Sequence, residues 1–368
     1  MRGMGINMNK FILSVVVPVY NTGRYLERCL SSLINQTLEN IEIVVVNDGS
    51  TDDSLSIIEY FSRDYKNIKV ITTRNAGISA ARRLGIENAT SEYICFVDSD
   101  DFVAEDFCMQ LYKAVSKNAA DCGECGYYSF SDLRMKANYL FRDNLTLCRE
   151  EFRDLILKEI IIAGKQPSFM WNKIYKKQII VSYVLDYGEC ALEDYLFNMQ
   201  YYAGVTKYVY INKPLYYYRG TLNSITKTFN PRLFDILLHV QEYKEGYMEA
   251  LGLNDEECRQ AGYSWFMGYV ERIVYRVYVY KNALSRKQKK ELLVKMLTNP
   301  KVLGIAENIK LMPGCEEGQF ILQVKNKLFD KIIFKQNIYK KKAQIIKAVR
   351  GLLPKRFKKL YTRSTGSI

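Results

Sequence analysis

Of the chain's 368 residues only one, His239, is a histidine. One imidazole excludes any metal site that needs two, such as a His-x-x-x-His zinc helix. It also leaves a Ser-His-Asp triad without a base unless His239 falls there by chance. Proline is scarce too, at 7 residues, and no low-complexity linker divides the chain. No apolar run reaches the roughly 18 residues that a membrane helix needs, which excludes a membrane bundle; a soluble or peripheral protein is expected. Lys10 does precede an apolar run, Phe11 to Val19, in the manner of a secretion signal. Pro18, Tyr20 and Asn21 then follow without a small-residue cleavage site, so the run is expected to be a buried first strand. The 9 cysteines are odd in number and irregular in spacing, as expected of free thiols in a reducing cytosol. Cys122-Gly-Glu-Cys125 lacks the second pair that a zinc site would want. It reads as a strand with two small buried thiols, with a metal or redox role as the alternative.

What remains is a globular composition, 48% apolar and 25% charged, long enough for one large domain or two ordinary ones. The net charge of +13 is unevenly placed: residues 321–368 carry fourteen Lys or Arg against one acid, Asp330, and the preceding 320 residues are balanced. In that tail Ile345, Ile346, Val349, Leu352, Leu353 and Leu360 fall near one helical face, flanked by Lys347, Arg350, Lys355, Arg356, Lys358 and Lys359. A basic amphipathic segment suits an anionic membrane surface, where each cation contributes about 1 kcal/mol. A solvated helix packing its stripe on the body is the alternative. Nucleic acid is not expected, because no nucleic-acid fold accompanies the tail.

Four short β-branched runs, Leu13–Val19, Ile41–Val46, Lys69–Thr72 and Tyr93–Val97, are apolar on both parities, as strands buried on both faces should be. Helical patterns separate them at Tyr25–Gln36, Asp53–Tyr65 and Ile78–Asn88. The β-α alternation predicts a Rossmann-like, mostly parallel sheet flanked by helices. Asn21-Thr-Gly, Asn47-Asp-Gly-Ser-Thr and Asn75-Ala-Gly would then lie at strand carboxyl ends, where such sheets bind ligands. Further on, the pattern predicts a helix over Phe102–Lys117, a strand over Cys122–Phe130 and a helix over Arg149–Ile162. A turn and helix follow at Trp171–Ile180, a helix at Leu192–Tyr202 and a strand at Val205–Ile211, and Leu215–Arg219 continues as strand or loop. Residues Asn230–Leu297 read as helical.

Asp98-Ser-Asp100-Asp101 closes the fourth run. Carboxylates crowded at a ligand-binding edge repel one another, and a hard divalent cation is the natural compensation; an ordinary acidic turn is the alternative. Asp98 and Asp100 would project to one side of an extended stretch and could address one metal–diphosphate unit. Asp48, ending the second run, could accept a base imino N–H or cap the following helix. Tyr20 could stack on a planar base. Glu193-Asp194 opens an apolar helix, either as an acidic first turn favoured by the helix dipole or as a carboxylate base for a hydroxyl nucleophile.

Four segments occur in order: Leu13-Ser-Val-Val-Val-Pro-Val-Tyr-Asn21, Val44-Val-Val-Asn-Asp-Gly-Ser-Thr-Asp52, Arg74-Asn-Ala-Gly-Ile-Ser-Ala-Ala-Arg82 and Glu92-Tyr-Ile-Cys-Phe-Val-Asp-Ser-Asp-Asp101. Together they closely resemble the family 2 glycosyltransferases of GT-A fold. The likeness is firm over 11–120 and looser through Trp171-Asn-Lys173, Glu193-Asp194 and Tyr216-Tyr-Tyr-Arg219. It implies inverting transfer of a sugar from a nucleotide-sugar donor, a UDP-sugar, assisted by Mn²⁺ or Mg²⁺. By position, Pro18, Tyr20 and Asp48 would line the nucleobase pocket. Asp98 would face the ribose and diphosphate, and Asp100 would hold the metal with Asp98. Asn21, Gly77, Arg82 and Ser99 would lie near the donor. Asp194 would be the general base with Glu193 beside it, and Trp171 would face the acceptor sugar unless it is a core ring. Two departures stand out: Asn47 occupies a position where the family usually shows an acid, and no His is available as a metal ligand in the matched region.

The expected organisation is a flexible start (1–10), a nucleotide-sugar-binding half (11–120), an acceptor-binding half (121–229), a helical extension (230–320) and the basic tail (321–368). The acceptor implied is a glycan or a lipid-linked glycan of a surface polysaccharide, and the location cytoplasmic, at the inner face of the membrane. Two competing readings are a sugar-phosphate nucleotidyltransferase and a non-catalytic carbohydrate- or nucleotide-binding subunit. The former lacks its Gly-rich, Arg-containing loop after the first strand, and the latter would have no need of Glu193-Asp194.

Overall fold

The first run forms β1 (Leu13–Val19) as expected, every residue buried, and β2 (Ile41–Asp48) is buried along its whole length. In a computed structural model the described residues are 11–131, 134–166, 168–186, 188, 191–220, 229–280, 282–310 and 316–352. The expected flexible start and residues 353–368 of the tail lie outside them. The chain divides into two units, Met1–Thr221 and Leu222–Ile368.

In the first unit, α1 (Gly23–Ile34), α2 (Ser54–Asp64), β3 (Ile68–Thr73), α3 (Ile78–Asn88) and β4 (Tyr93–Phe96) complete the alternation. Leu26, Cys29, Leu30 and Leu33, spaced three and four apart, form the buried stripe of α1 and join the core with Val15 and Val17. Truncating any of these leucines to Ala would cost about 2–5 kcal/mol. The rest of the unit comprises β5 (Phe102–Val103), α4 (Phe107–Asn118), β6 (Cys122–Ser131), β7 (Arg134–Asn138), β8 (Leu145–Leu147), α5 (Arg149–Phe152), a π-helix over Arg153–Ile162, β9 (Lys173–Lys176), α6 (Lys177–Tyr183), α7 (Glu193–Ala203) and β10 (Tyr208–Arg219).

The sheet order is β3-β2-β1-β4-β9-β6-β10-β5, with β7 on β6 and β8 on β10. β1–β4, β6 and β10 run in one direction; β5, β7, β8 and β9 oppose them. This is the expected mostly parallel α/β sheet. β1 pairs with β4 as far as Val16↔Phe96, whereas its pairing with β2 continues to Val19↔Asn47. The strand order reverses at β1, so a crevice opens between the ends of β1 and β4, the position at which open α/β sheets bind ligands. Pro18 sits where β4 has already departed.

The remaining sequence expectations are corrected at three places. The helix expected over Phe102–Lys117 begins only at Phe107, because Phe102–Val103 pairs with Tyr216–Tyr217 and the Phe102 ring stacks on Tyr217 at 4.4 Å. The helix expected within Trp171–Ile180 is preceded by β9, inserted antiparallel between β4 and β6 with Ile174 and Tyr175 fully buried. Tertiary insertion outweighs the local pattern there. The strand expected at Val205–Ile211 and the strand or loop expected at Leu215–Arg219 form one strand, β10, whose register shifts around Pro214, a residue with no N–H for the ladder. Cys122 and Cys125 are buried free thiols in β6, and β7 and β8 went unread.

The second unit consists, among the described residues, of α8 (Leu233–Ala250), α9 (Glu256–Val279), α10 (Arg286–Leu297), α11 (Pro300–Asn308), α12 (Glu316–Lys325) and α13 (Phe329–Leu352). It is the expected helical extension. No helix of the described residues is long and apolar enough to cross a membrane.

Candidate active site

The loops at the carboxyl edge of β1–β4 are laced to one another. Asn21, in the left-handed region at φ 52°, accepts from the Thr51 N–H (2.7 Å) through Oδ1, and its own N–H donates to Ser50 Oγ at 3.1 Å. Thr22 Oγ1 donates to Ser99 Oγ at 2.9 Å. Asp48, 2% exposed, accepts from the N–H groups of Ala76 (2.8 Å) and Gly77 (2.9 Å), one to each carboxylate oxygen. It therefore clamps the loop that opens α3, and it does not cap α2. Gly77, at φ 92°, takes a conformation that suits glycine alone. Asn47 Oδ1 accepts from the Ser50 N–H, and Tyr20 is left with its ring 49% exposed.

α3 delivers Arg82 into the crevice. Its guanidinium, 3% exposed, donates through Nη2 to Asp98 Oδ1 (3.1 Å) and through Nη1 to Asp194 Oδ1 (2.6 Å), with Glu193 Oε1 at 3.5 Å. The end of β4 and the first turn of α7, about a hundred residues apart in sequence, are thus joined by one side chain. Burial opposes the charge on Arg82, but Asp194, Asp98 and Glu193 outweigh it and raise its pKa, so it stays a cation. The turn before α7 is strained, with Ala191 at φ 89° and Leu192 at φ 65°. It presents Glu193 and Asp194 together. Asp194 Oδ2 accepts from the Met170 N–H (3.3 Å), and the Ala191 N–H donates to Glu193 (2.9 Å).

The three aspartates after β4 differ in kind. Asp101 is buried at 1% exposure, accepting from Tyr216 Oη (2.9 Å) and from the Arg219 N–H (2.6 Å). Tyr216 Oη also receives the Asp98 N–H at 3.1 Å. Arg219 Nε donates to the Asp100 carbonyl (2.8 Å), and its guanidinium lies 4.7 Å from the ring centres of both Tyr25 and Phe130. The Asp100 carboxylate has weaker support, from its own backbone N–H and the charge of Arg219. Burial, and then the charge of Asp98, push its carboxyl up to about 6. Burial also raises Asp98, against the pull of Arg82, and burial followed by the Asp194 charge raises Glu193.

Among the described residues no three His, Cys, Asp or Glu side chains converge to hold a metal by themselves. The chemistry of Asp98 and Asp100 still fits a hard divalent cation, since both are crowded carboxylates that ionise at a cost. Mg²⁺-type sites commonly use one or two carboxylates and complete the shell with substrate phosphates and water.

Trp171 is 2% exposed, stacked between Phe169 (4.5 Å) and Tyr216 (4.3 Å), with Tyr218 parallel at 5.4 Å and Tyr127 edge-on at 5.0 Å. The structure thus gathers Asp98, Arg82, Glu193 and Asp194 at one point, with Ser99, Asp100 and Asn21 at the same edge. It places Asp48 beneath the loop and Trp171 within the core. The bridging role of Arg82 and the support from Tyr216 and Arg219 escaped the sequence reading. The only signal was the run Tyr216-Tyr-Tyr-Arg219, in which strand alternation turns Tyr216 and Tyr218 to the Trp171 face.

The sequence profile described as "Glycosyl transferase family 2" matches residues 14–177. The putative glycosyltransferase EpsH of Bacillus subtilis is 34% identical over 242 residues, which cover 64% of this chain and 69% of that protein. The glycosyltransferase GlyA of Streptococcus pneumoniae is 35% identical over 235 residues, 61% of this chain but only 33% of GlyA. Among solved structures, S. aureus TarS 1-349 in complex with UDP-GlcNAc superposes with a TM-score of 0.52 at 20% identity, covering 85% of this chain and 79% of that one. At that identity the likeness is one of fold. The chain belongs to the family 2 glycosyltransferases.

Proposed function

We propose that the protein is an inverting glycosyltransferase that moves a sugar from a nucleotide-sugar, a UDP-sugar, to a hydroxyl of a glycan or lipid-linked acceptor in surface polysaccharide synthesis. The observation that carries this reading is the Arg82 bridge. It sets the carboxylate at the end of β4, suited to the donor diphosphate, beside Asp194, suited to an acceptor hydroxyl. Tyr20 offers an exposed ring to the nucleobase, next to Pro18 and Asn21. Asp48 acts on the donor through the shape of the Asn75–Gly77 loop, and Gly77 and Ser99 border the same crevice. The UDP-GlcNAc held by TarS makes UDP-sugars the first donors to test.

In the step itself the acceptor oxygen forms a bond to the anomeric carbon as the bond from that carbon to the diphosphate oxygen breaks, and Asp194 receives the acceptor's proton. Attack opposite the leaving group inverts the anomeric centre, and no enzyme nucleophile is required. Glu193 beside Asp194 and Arg82 between them keep the base oriented. Asp98 and Asp100 would hold Mn²⁺ or Mg²⁺, whose contribution is charge neutralisation of the departing diphosphate.

The test measures nucleotide release from UDP-, GDP- and dTDP-sugars with Mn²⁺, Mg²⁺ or EDTA, on the wild type, Asp100→Ala and Asp194→Asn. Metal-dependent release from one donor is expected. It should be lost in Asp100→Ala, and it should fall about 10²- to 10⁴-fold in Asp194→Asn with donor binding retained. Binding without any Asp194 dependence would favour a non-catalytic subunit. Absence of nucleotide binding would refute the reading.

We also place the protein at the inner face of the cell membrane. Leu322, Leu328, Phe334 and Ile338 are exposed in or beside α12 and α13, among Lys325, Lys327, Lys331 and Lys335. Phe334→Asp with Lys331→Glu is expected to abolish co-sedimentation with anionic vesicles; unchanged sedimentation would remove the membrane from the proposal.

A further inference from the structure

A cavity of about 360 Å³ lies between the β6–β7 hairpin and the segment Phe169–Asn172. Tyr127, Tyr139 and Phe169 give it ring faces, and Lys136, Asn138 and Gln166 give it a polar rim. A second cavity, of about 450 Å³, adjoins it, sharing Tyr139 and Leu140 and adding Arg142 and Asn212. We propose that the first cavity is the acceptor-sugar subsite, taking a pyranose ring of the acceptor glycan, with the second receiving the next sugar of the same chain. The proposal rests on the glycosyltransferase reading and gives it a binding site for its second substrate.

Three observations carry it. The first is the chemistry of the walls. A pyranose has an apolar C–H face and a rim of hydroxyls, so it matches rings flanked by amide and ammonium groups, whereas a lipid tail would match the rings and leave the polar rim without partners. The volume sits at the low end of small-molecule pockets, about 300–1,000 Å³. Tyr139 is 48% exposed and Tyr127 and Phe169 are half-buried, so these rings offer area that the core has not used.

The second observation is the connection to the candidate base. The segment that walls the cavity with Phe169 and Asn172 carries, between them, the Met170 N–H that donates to Asp194. The ring of Phe169 continues through Trp171 to Tyr216, whose hydroxyl receives the Asp98 N–H. A sugar seated on Phe169 therefore adjoins the segment that contacts Asp194.

The third observation is the rigidity of the floor. Lys173, 1% exposed, donates to the Phe169 carbonyl (2.6 Å) and to Asn172 Oδ1 (3.0 Å), and lies 3.2 Å from Glu124 Oε2. Glu124 also accepts from Tyr208 Oη (2.6 Å) and from Asn172 Nδ2 (3.0 Å). A buried ion pair of this kind contributes little net stability, and its best-attested return is a fixed arrangement. What it fixes here is the wall of the cavity and, through Met170, the partner of Asp194.

The experiment titrates a panel of methyl and p-nitrophenyl glycosides of glucose, galactose, mannose and N-acetylglucosamine, with their β-linked disaccharides, by saturation-transfer NMR. It uses full-length wild type, Tyr139→Ala, Tyr139→Phe and Gln166→Ala, and measures UDP binding on the same samples. At least one glycoside is expected to bind. Its affinity should fall tenfold or more in Tyr139→Ala and Gln166→Ala, stay within twofold in Tyr139→Phe, and leave UDP affinity unchanged throughout. Binding of no glycoside while UDP binds, or glycoside binding indifferent to Tyr139→Ala and Gln166→Ala, would overturn the subsite and leave the glycosyltransferase reading standing. The same holds if inorganic or prenyl phosphate binds there in place of sugars. Loss of UDP binding in the wild type would overturn both.

Discussion

Replacing Asp100 by Asn should make the protein more stable. The carboxylate is pushed from the ordinary 3.8 to about 6 by burial and by the Asp98 charge, a rise that corresponds to about 3 kcal/mol at about 1.36 kcal/mol per pKa unit. The direction in pH follows from that rise. Below about pH 4 the carboxyl is protonated in both the folded and the unfolded chain and costs nothing. As pH climbs, the unfolded chain ionises freely while the folded one resists, so folding loses stability until about pH 6 and stays penalised above it. Asn keeps the shape and removes the charge. In thermal unfolding with EDTA, Asp100→Asn should therefore lead the wild type at neutral pH by up to about 3 kcal/mol. At about 2–4 °C per kcal/mol for a domain of this size, that is up to roughly 10 °C. The lead should shrink steadily on acidification toward about pH 4. Adding Mn²⁺ with UDP should raise the wild type alone, by mass action on a site that the variant lacks. A variant no more stable than wild type at neutral pH, or a lead that ignores acidification, would refute the reasoning that Asp100 is held ionised at a cost for use by a ligand.

Three further substitutions test other parts of the fold. Arg82→Met leaves Asp98, Glu193 and Asp194 without their shared cation and should cost about 3–5 kcal/mol in thermal unfolding; adding Asp194→Asn to it should restore part of that loss. Gly85→Ala drives a methyl of α3 into the Val16 side chain of β1 and should cost about 1–3 kcal/mol. Gly246→Ala in α8, where nothing lies within 4 Å, should instead stabilise by about 0.4–1 kcal/mol.

The first hundred residues were legible because each level of the sequence agreed with the next. Leu13–Val19 and Ile41–Val46 could be buried strands and little else, and the Asn- and Gly-rich loops after them belong at strand ends. Legibility fell where tertiary pairing decides. Lys173–Lys176 has no strand pattern of its own and is extended because β4 and β6 leave a gap that fits it. Phe102–Val103 is extended because β10 pairs with it. At the site, residue types could be named from sequence, but partners could not. Asp48 looks like a ligand-facing carboxylate, and its oxygens are in fact occupied by the Ala76 and Gly77 N–H groups. Asp98 and Asp101 look equivalent, yet one meets Arg82 and the other Tyr216. Such assignments depend on contacts between residues 16 to 115 apart in sequence, which no local pattern encodes.

The electrostatics of the crevice supply the reason for placing a cation in the proposed mechanism. Asp98, Glu193 and Asp194 gather around a single guanidinium, that of Arg82, while Arg219, held against Tyr25 and Phe130, donates to the Asp100 carbonyl and only partly offsets the charge of the Asp100 carboxylate. Asp98, Asp100 and Glu193 are all raised above the ordinary carboxylate range, so the crevice carries more negative charge than its surroundings readily support. A nucleotide diphosphate is an anion and would be repelled from such a place. Arg82 cannot reconcile the two, because its one charge is already shared among Asp98, Glu193 and Asp194. A divalent cation held by Asp98 and Asp100 would offset both excesses, and would leave Arg82 to hold Asp194 in position.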